Sequence, residues 1–263
     1  MRADKFFAEQ FGSRTKAAEA VENGWVLVNG KRIRPKDEIK ETDEITFVER
    51  ENAFVSNGGY KLLRGLERFD VSFDGKVFVD IGASTGGFTD CLLQNGAKKV
   101  YAVDVGESQL HPTISNDERV VVMDNCNARY LTCEHFQDEI DGVVTDVSFI
   151  SLRLIFPAIA KILKEEGEAL VLVKPQFECE NKNIGKSGIV HVSAHADIVK
   201  KVLGYAVGEG LYPFAIVNAP VRKGKNVEYV LHLKKRRENA LGVNAVVASV
   251  KNFTTEYSLG NFT

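Results

Sequence analysis

Apolar positions recur in two different rhythms along the chain, and the change of rhythm near residue 50 divides it. In RADKFFAEQFG, Phe6, Phe7 and Phe11 fall at helical spacing. Ser13 then offers an N-cap for a second helix, TKAAEAVENG, which Gly24 closes. WVLVNGKRI and EITFVE read as short strands. Val28-Asn29-Gly30-Lys31 reads as a two-residue hairpin, because Asn-Gly supplies the positive φ that such a turn demands. Two helices and a hairpin sheet within residues 1–50 make an α+β module near the lower size limit for independent folding.

From residue 75 the rhythm is strand, helix, strand. KVFVDIG, KKVYAVDVG, RVVVMDNC, DGVVTDVSF and EALVLVKPQF are near-continuous Val/Ile-rich runs. Between and after them lie GFTDCLLQNGA, a polar helix following RVVVMDNC, SLRLIFPAIAKILKEEG and HADIVKKVLGYAVGEG. Such runs predict a parallel sheet covered on both faces. LYPFAIVNAP and NVEYVLHLKKR follow one another with only the basic VRKGK loop between, which predicts an antiparallel pair and a total of seven strands with one reversed. The expected class is α/β, a Rossmann-like sheet behind the small module. The predicted divisions are 1–50 for the module, 51–58 for a linker, 59–237 for the sheet domain, and 238–263 for a tail with one short helix around NAVVASVKNF.

Composition changes this picture little. The 263 residues carry 34 Lys+Arg against 36 Asp+Glu, a net charge of −2, so any nucleic-acid contact must come from local patches. MRADKFFAEQFGSR lacks the apolar core of a secretory signal, and no run approaches the roughly 18 to 20 apolar residues that span a bilayer. A cytoplasmic protein with no membrane partner is expected. Cys91, Cys126, Cys133 and Cys179 are irregularly spaced, as reduced thiols are. Cys133 and His135 lack the second ligand pair of a zinc site, so no metal is expected.

Ligands of open α/β sheets bind at the carboxyl ends of strands. The first of these strands ends in Asp80-Ile81-Gly82-Ala83-Ser84-Thr85-Gly86-Gly87-Phe88. An acid at the tip, then three glycines among small residues, admits a ligand against the backbone. Yet this is neither GxGxxG nor a phosphate loop, and the acid favours a cationic group such as a methionine ammonium. The second strand ends in Asp104-Val105, where an acid can accept both hydroxyls of a ribose. The third ends in Asp124-Asn125, placed to meet an adenine edge. Taken singly, each acid reads as a loop acid or helix cap. Together with the glycine turn, they favour S-adenosylmethionine (SAM) over a nicotinamide dinucleotide.

The fourth strand ends in Thr145-Asp146-Val147-Ser148-Phe149 and the fifth in Lys174-Pro175-Gln176-Phe177. The Asn/Asp-Pro-Pro-aromatic clamp of exocyclic-amine methyltransferases is missing, and so is the cysteine of a cytosine C5 enzyme. A carboxylate beside a lysine suits a hydroxyl acceptor. Lys174 can accept the proton of a ribose hydroxyl or orient its oxygen, and sequence leaves both roles open.

Four strings, FVSNGGYKL, DIGASTGGFTD, TDVSFISL and VKPQFE, together resemble the TlyA (hemolysin A) family of ribosomal RNA 2′-O-methyltransferases, relatives of the FtsJ/RrmJ ribose methyltransferases. The resemblance spans residues 2–235. It implies a class I SAM-dependent methyltransferase sheet and a Lys-Asp-Lys-Glu tetrad at Lys61, Asp146, Lys174 and Glu228. Lys174 would activate or orient the 2′-oxygen, while Asp146 and Glu228 hold the lysines and the ribose. It also implies a cytidine in ribosomal RNA as target, with that RNA or a ribosomal subunit as partner; no stable protein partner is expected. Two departures stand out: Ser56-Asn57-Gly58-Gly59 where relatives have Ser-Arg-Gly-Gly, and Asn226-Val227-Glu228 where they have Gly-Asn-Glu.

Residues 1–50 resemble the RNA-binding domain first described in ribosomal protein S4. That likeness implies phosphate contacts by Arg2, Lys5, Arg14 and Lys16, and by the loop cations Lys31, Arg32, Arg34 and Lys36. A second cluster, Arg222, Lys223 and Lys225 followed by Lys234-Lys235-Arg236-Arg237, flanks Glu228 and is expected to extend a positive track towards the catalytic edge. Two other classes compete: a non-catalytic RNA-binding or ribosome-assembly factor that retains SAM, which would not need the tetrad, and a membrane-lytic protein, which the helices needed by the sheet argue against.

Overall fold

The computed structural model describes residues 1–22, 25–40, 42–47, 54–185, 187–221 and 224–258, and every side chain among them except those of Lys16, Glu19 and Glu22. The chain forms two compact units, Met1–Ala53 and Phe54–Thr263. In the first, α1 (Ala3–Phe6) and α2 (Arg14–Glu22) accompany β1 (Val26–Val28), β2 (Lys31–Arg32) and β3 (Ile45–Phe47), an antiparallel sheet in the order β2-β1-β3. Asn29 and Gly30 take φ of 51° and 71° and Val28 pairs with Lys31, so the hairpin forms where Asn-Gly predicts it. Phe7, Ala17, Val21, Val26 and Ile39 fill its core. The first helix is shorter than the phenylalanine spacing predicts: it stops at Phe6, and Phe7 and Phe11 both turn onto Phe47, ring centroids 6.1 and 6.2 Å away. Gly24, expected to close α2, lies outside the described residues.

The second unit runs α3 (Gly58–Arg68), β4 (Val77–Ile81), α4 (Gly87–Gln94), β5 (Lys99–Val103), α5 (Pro112–Ser115), β6 (Val120–Met123), β7 (Ile140–Thr145), α6 (Phe156–Ile162), β8 (Leu163–Val173), α7 (Pro175–Glu178), α8 (His195–Gly208), β9 (Tyr212–Asn218), β10 (Tyr229–Lys234) and α9 (Val243–Ser258). Its seven strands lie in the order β6-β5-β4-β7-β8-β10-β9, and β10 runs antiparallel to both neighbours. Every residue of β4 is buried, because Val77, Val79 and Ile81 enter one core and Phe78 enters the other. The near-continuous apolar runs thus mark strands covered on both sides. The chain leaves β4 for β5 and β6 on one side, then returns to β7 on the other. The reversal opens a crevice at the carboxyl ends of β4 and β7.

Four expectations change, the first being that the SLRLIFPAIAKILKEEG helix stops at Ile162 and β8 starts at Leu163. The polar helix after β6 is instead two 3₁₀ turns, Ala128–Tyr130 and Cys133–His135, with the Asn127 side chain accepting from the Arg129 N–H. Cys133 Sγ donates to the Lys161 carbonyl and His135 Nδ1 meets Thr132, so neither faces a shared ligand. Residues 54–58, assigned above to a linker, pack within the second unit: Phe54 is buried and its ring meets Tyr60 at 5.0 Å. The expected tail carries α9, sixteen residues whose Val246, Val247 and Val250 are buried in the same core as Val79 and Leu231.

Candidate active site

Three strand ends and one helix deliver the four predicted catalytic residues to one edge of the sheet. Asp146 follows the last residue of β7, and Lys174 follows the last residue of β8. Glu228 precedes β10, and because that strand is antiparallel it starts where β8 finishes, Tyr229 opposite Val173. Lys61 comes from the first turns of α3. Its Nζ lies 2.8 Å from Glu228 Oε2 and 3.3 Å from Asp146 Oδ2. Lys174 Nζ lies 2.6 Å from Asp146 Oδ1 and 2.8 Å from Ser148 Oγ, with a longer bond of 3.4 Å to the Asp146 carbonyl. Four residues far apart in sequence therefore form one chain of contacts, Glu228–Lys61–Asp146–Lys174.

Burial alone would lower the Lys61 pKa, but the Asp146 and Glu228 carboxylates outweigh it and raise it above the ordinary lysine value. Lys61 is thus held as a cation between two acids. Two neutral residues that sequence reasoning passed over complete the arrangement. Ser148 binds Lys174, and Gln176 Nε2 donates to Glu228 Oε1 at 3.1 Å. Neither carries a charge or motif that sets it apart before the fold is known.

Phe149 stands at the mouth of the site, 90% exposed, with φ of 62°. Its ring centroid is 5.0 Å from that of Phe177, which lies 5.8 Å from Lys174 Nζ. An exposed aromatic side chain in a left-handed conformation costs both solvation and strain.

Two cavities adjoin the tetrad. The larger, about 800 Å³, is lined by Gly82, Ser84, Asp104, Val105, Asn127 and Arg129 among others. The smaller, about 160 Å³, is lined by Ser56, Gly82, Ala83, Ser84, Thr85, Gly87 and Phe88. Asp146 and Ser148 border both, and Lys174 borders the smaller. Gly82 sits at φ 81°, and a Cβ there would stand 3.2 Å from Val147 Cγ1, so its missing side chain keeps the floor of the crevice open. Asp104 lies at the carboxyl end of β5, its two oxygens accepting from the Ser84 and Gly106 amides. A glycine floor, an acid at the second strand tip and a cavity of this size fit SAM.

Four other predicted cofactor residues, Asp80, Gly86, Asp124 and Asn125, line neither cavity. Asp80 is fully buried and lines neither cavity. Its Oδ2 accepts from the Thr89 amide and hydroxyl, and burial, with Asp146 adding to it, pushes its pKa up to about 7. It braces the start of α4. Gly86 abuts Leu110 and Ile114, while Asp124 Oδ2 accepts from the Ser108 amide and Asn125 turns the chain at φ 54°. The cavity wall after β6 is made instead by Cys126, Asn127, Ala128 and Arg129. Gly87 lines the smaller cavity and also permits a close approach: a Cβ there would lie 2.1 Å from Ser56 Oγ and 3.1 Å from Gly59 N. It lets the N-termini of α3 and α4 meet; Gly59 has a separate reason, since a Cβ there would stand 2.2 Å from the Phe54 ring.

An FtsJ-like methyltransferase model matches residues 54–235, and an S4 domain model matches residues 1–45. Hemolysin A of Brachyspira hyodysenteriae is 42% identical, covering 88% of this chain and 99% of its own length. The chain belongs to the TlyA (hemolysin A) family. The 16S/23S rRNA (cytidine-2′-O)-methyltransferase TlyA of Mycobacterium tuberculosis is 38% identical, covering 93% of this chain and 92% of its own length. A solved structure from Streptococcus thermophilus, named for a hemolysin, superposes with a TM-score of 0.75 at 38% identity and covers 98% of both chains.

The cations expected to meet RNA in the S4 unit of this TlyA-family chain divide into two groups. Arg2 and Arg14 both pair with the buried Asp4, and Arg34 pairs with Asp37. Lys5, Lys31, Arg32 and Lys36 are exposed and have no ion pair among the described residues. The Lys16 side chain, Arg222 and Lys223 lie outside the described residues, and Lys225 is exposed. Lys234 to Arg237 do not extend a track to the catalytic edge. β10 carries them to its opposite end, where Lys234 approaches Glu168, Lys235 donates to the Leu163 carbonyl and Arg236 pairs with Glu166. No helix among the described residues is long and apolar enough to cross a membrane.

Proposed function

We propose that the protein transfers the methyl group of SAM to a ribose 2′-hydroxyl, that of a cytidine in ribosomal RNA. The observation that carries this reading is the continuous Glu228–Lys61–Asp146–Lys174 array beside a cavity suited to SAM. The named relatives, one of which is a 16S/23S cytidine-2′-O-methyltransferase, support the choice of RNA and nucleoside. SAM supplies an electrophilic methyl group when bound.

The residues supply position and charge. Lys61, kept cationic by two acids, anchors Asp146 and Glu228, and Asp146 in turn fixes Lys174 Nζ at the edge of the smaller cavity. An amine held there orients a ribose oxygen in line for attack and takes or guides its proton. Gly82, Ala83 and Ser84 would hold the methionine end of the cofactor, Asp104 its ribose, and the wall from Val105 to Arg129 its base. Phe149 and Phe177 would stack on the unstacked target base, which repays the cost of its removal from a helix. Lys5, Lys31, Arg32 and Lys36 would add sequence-independent affinity through phosphates.

The test is transfer of labelled methyl from SAM to unmodified 30S and 50S subunits by the wild-type protein and by Lys174→Ala. The expected result is incorporation into at least one subunit, reduced at least 100-fold in the variant while SAM binding is retained. Equal incorporation by both proteins would remove Lys174 from the reaction. SAM binding without incorporation into either subunit would favour a binding factor.

A further inference from the structure

Lys174 is nearly enclosed, its side chain 9% exposed, and three oxygens surround its Nζ. Two of the contacts are short, 2.6 Å to Asp146 Oδ1 and 2.8 Å to Ser148 Oγ; the third, 3.4 Å to the Asp146 carbonyl, is long. An ammonium has three N–H donors and no acceptor. Only the Ser148 contact is both short and in hydrogen-bonding geometry, because Asp146 Oδ1 accepts no hydrogen bond and holds Lys174 as an ion pair; the long bond to the Asp146 carbonyl is the one that a substrate oxygen can displace.

Asp146 divides its carboxylate between two lysines, Oδ1 to Lys174 and Oδ2 to Lys61. Its Oδ1 balances the charge of the Lys174 ammonium without accepting a hydrogen bond from it, so it does not set the rotation of that group about Cε–Nζ. The short bond to Ser148 Oγ sets it. The charged groups that face Lys174 Nζ directly or through Asp146 are Asp146 from the end of β7, Lys61 from α3 and, beyond Lys61, Glu228 before β10; Ser148 is the neutral one among its partners. A hydroxyl also does what a carboxylate does not. It accepts from the ammonium and donates to the amine, so the same contact survives a change in the protonation of Lys174. Ser148 also borders both cavities.

We propose that Ser148 is a positioning residue for methyl transfer: its hydroxyl, with Asp146, aims the remaining N–H or lone pair of Lys174 at the incoming ribose oxygen. This rests on the function proposed above.

The experiment compares wild type, Ser148→Ala and Ser148→Thr in two readouts. The first needs neither SAM nor RNA: the rate at which a small anhydride acylates Lys174 at one fixed pH, relative to exposed Lys36, followed by peptide mass spectrometry. Ser148→Ala is expected to raise that ratio about tenfold, because the amine loses the short hydrogen bond that holds it in place. The second is single-turnover methyl transfer. Ser148→Ala should slow it about tenfold or more. Ser148→Thr, which keeps the hydroxyl, should return both readouts towards wild type. Acylation of Lys174 in Ser148→Ala at the wild-type ratio would overturn the proposal. So would a folded Ser148→Thr as impaired as the alanine variant in both readouts. If wild type itself transfers no methyl to RNA, the proposed function fails, and the acylation ratio still decides whether Ser148 governs Lys174.

Discussion

Two lysines share the Asp146 carboxylate, and their surroundings divide the work between them. Lys61 is clamped by two acids and stays cationic, which suits an anchor; Lys174 meets a single carboxylate oxygen and a hydroxyl, which suits the group that touches the ribose. Phe149 shows the same division in another form. A residue this exposed contributes little to the core, so Phe149→Ala is expected to leave the urea midpoint within error of wild type. If the ring stacks on the target base, worth about 1–3 kcal/mol, transfer to RNA should fall roughly 5- to 150-fold while SAM affinity holds. A large drop in stability with no loss of transfer would show that the ring belongs to the fold.

At the scale of elements, the site depends on how closely α3 approaches α4. Gly87 faces Ser56 and the Gly58-Gly59 backbone, so Gly87→Ala forces a Cβ into atoms that include main chain. The expected outcome is a loss of about 1–3 kcal/mol in urea unfolding, together with weaker transfer as Lys61 moves off Asp146. A wild-type midpoint would contradict the packing argument. The strand tips were legible in the sequence because parallel strands bring their carboxyl ends to one edge, which is why Asp104, Asp146 and Lys174 could be placed from their strings alone. Ser148 and Gln176 were not, since a neutral hydrogen bond across the fold leaves no local pattern. Lys234 to Arg237 misled because nearness in sequence was taken for nearness in space, whereas a strand advances about 3.3 Å per residue. In α9 the spacing of Val246, Val247, Val250 and Phe253 carries a helical signal, but only the β9 and α8 surfaces beneath it show that the segment completes a core.

For the whole molecule, chemistry sits at one end of the large sheet and a charged lock at the other. Glu168 is buried with His232 Nε2 at 2.9 Å and Lys76 Nζ at 2.8 Å, and His232 stacks on Phe69. Burial would raise the Glu168 pKa, but hydrogen bonds and charge from His232 and Lys76 hold it down to about 2. A carboxyl with a lowered folded pKa stabilises fully above its unfolded value, and that contribution fades as pH falls towards the folded one. Urea unfolding should therefore lose on the order of 3 kcal/mol from this group between about pH 5.5 and pH 2. Glu168→Gln should be less stable than wild type at pH 7, and the gap should close in acid; a constant gap across that range would refute the assignment. None of this touches the central claim, that the site places a methyl group on ribose oxygen. That claim is tested most directly by alkaline hydrolysis of labelled ribosomal RNA methylated by the wild-type protein. The account predicts label in an alkali-resistant dinucleotide with a 2′-O-methylcytidine on its 5′ side, and its absence with Lys174→Ala. Label released in mononucleotides, on the base, would contradict it.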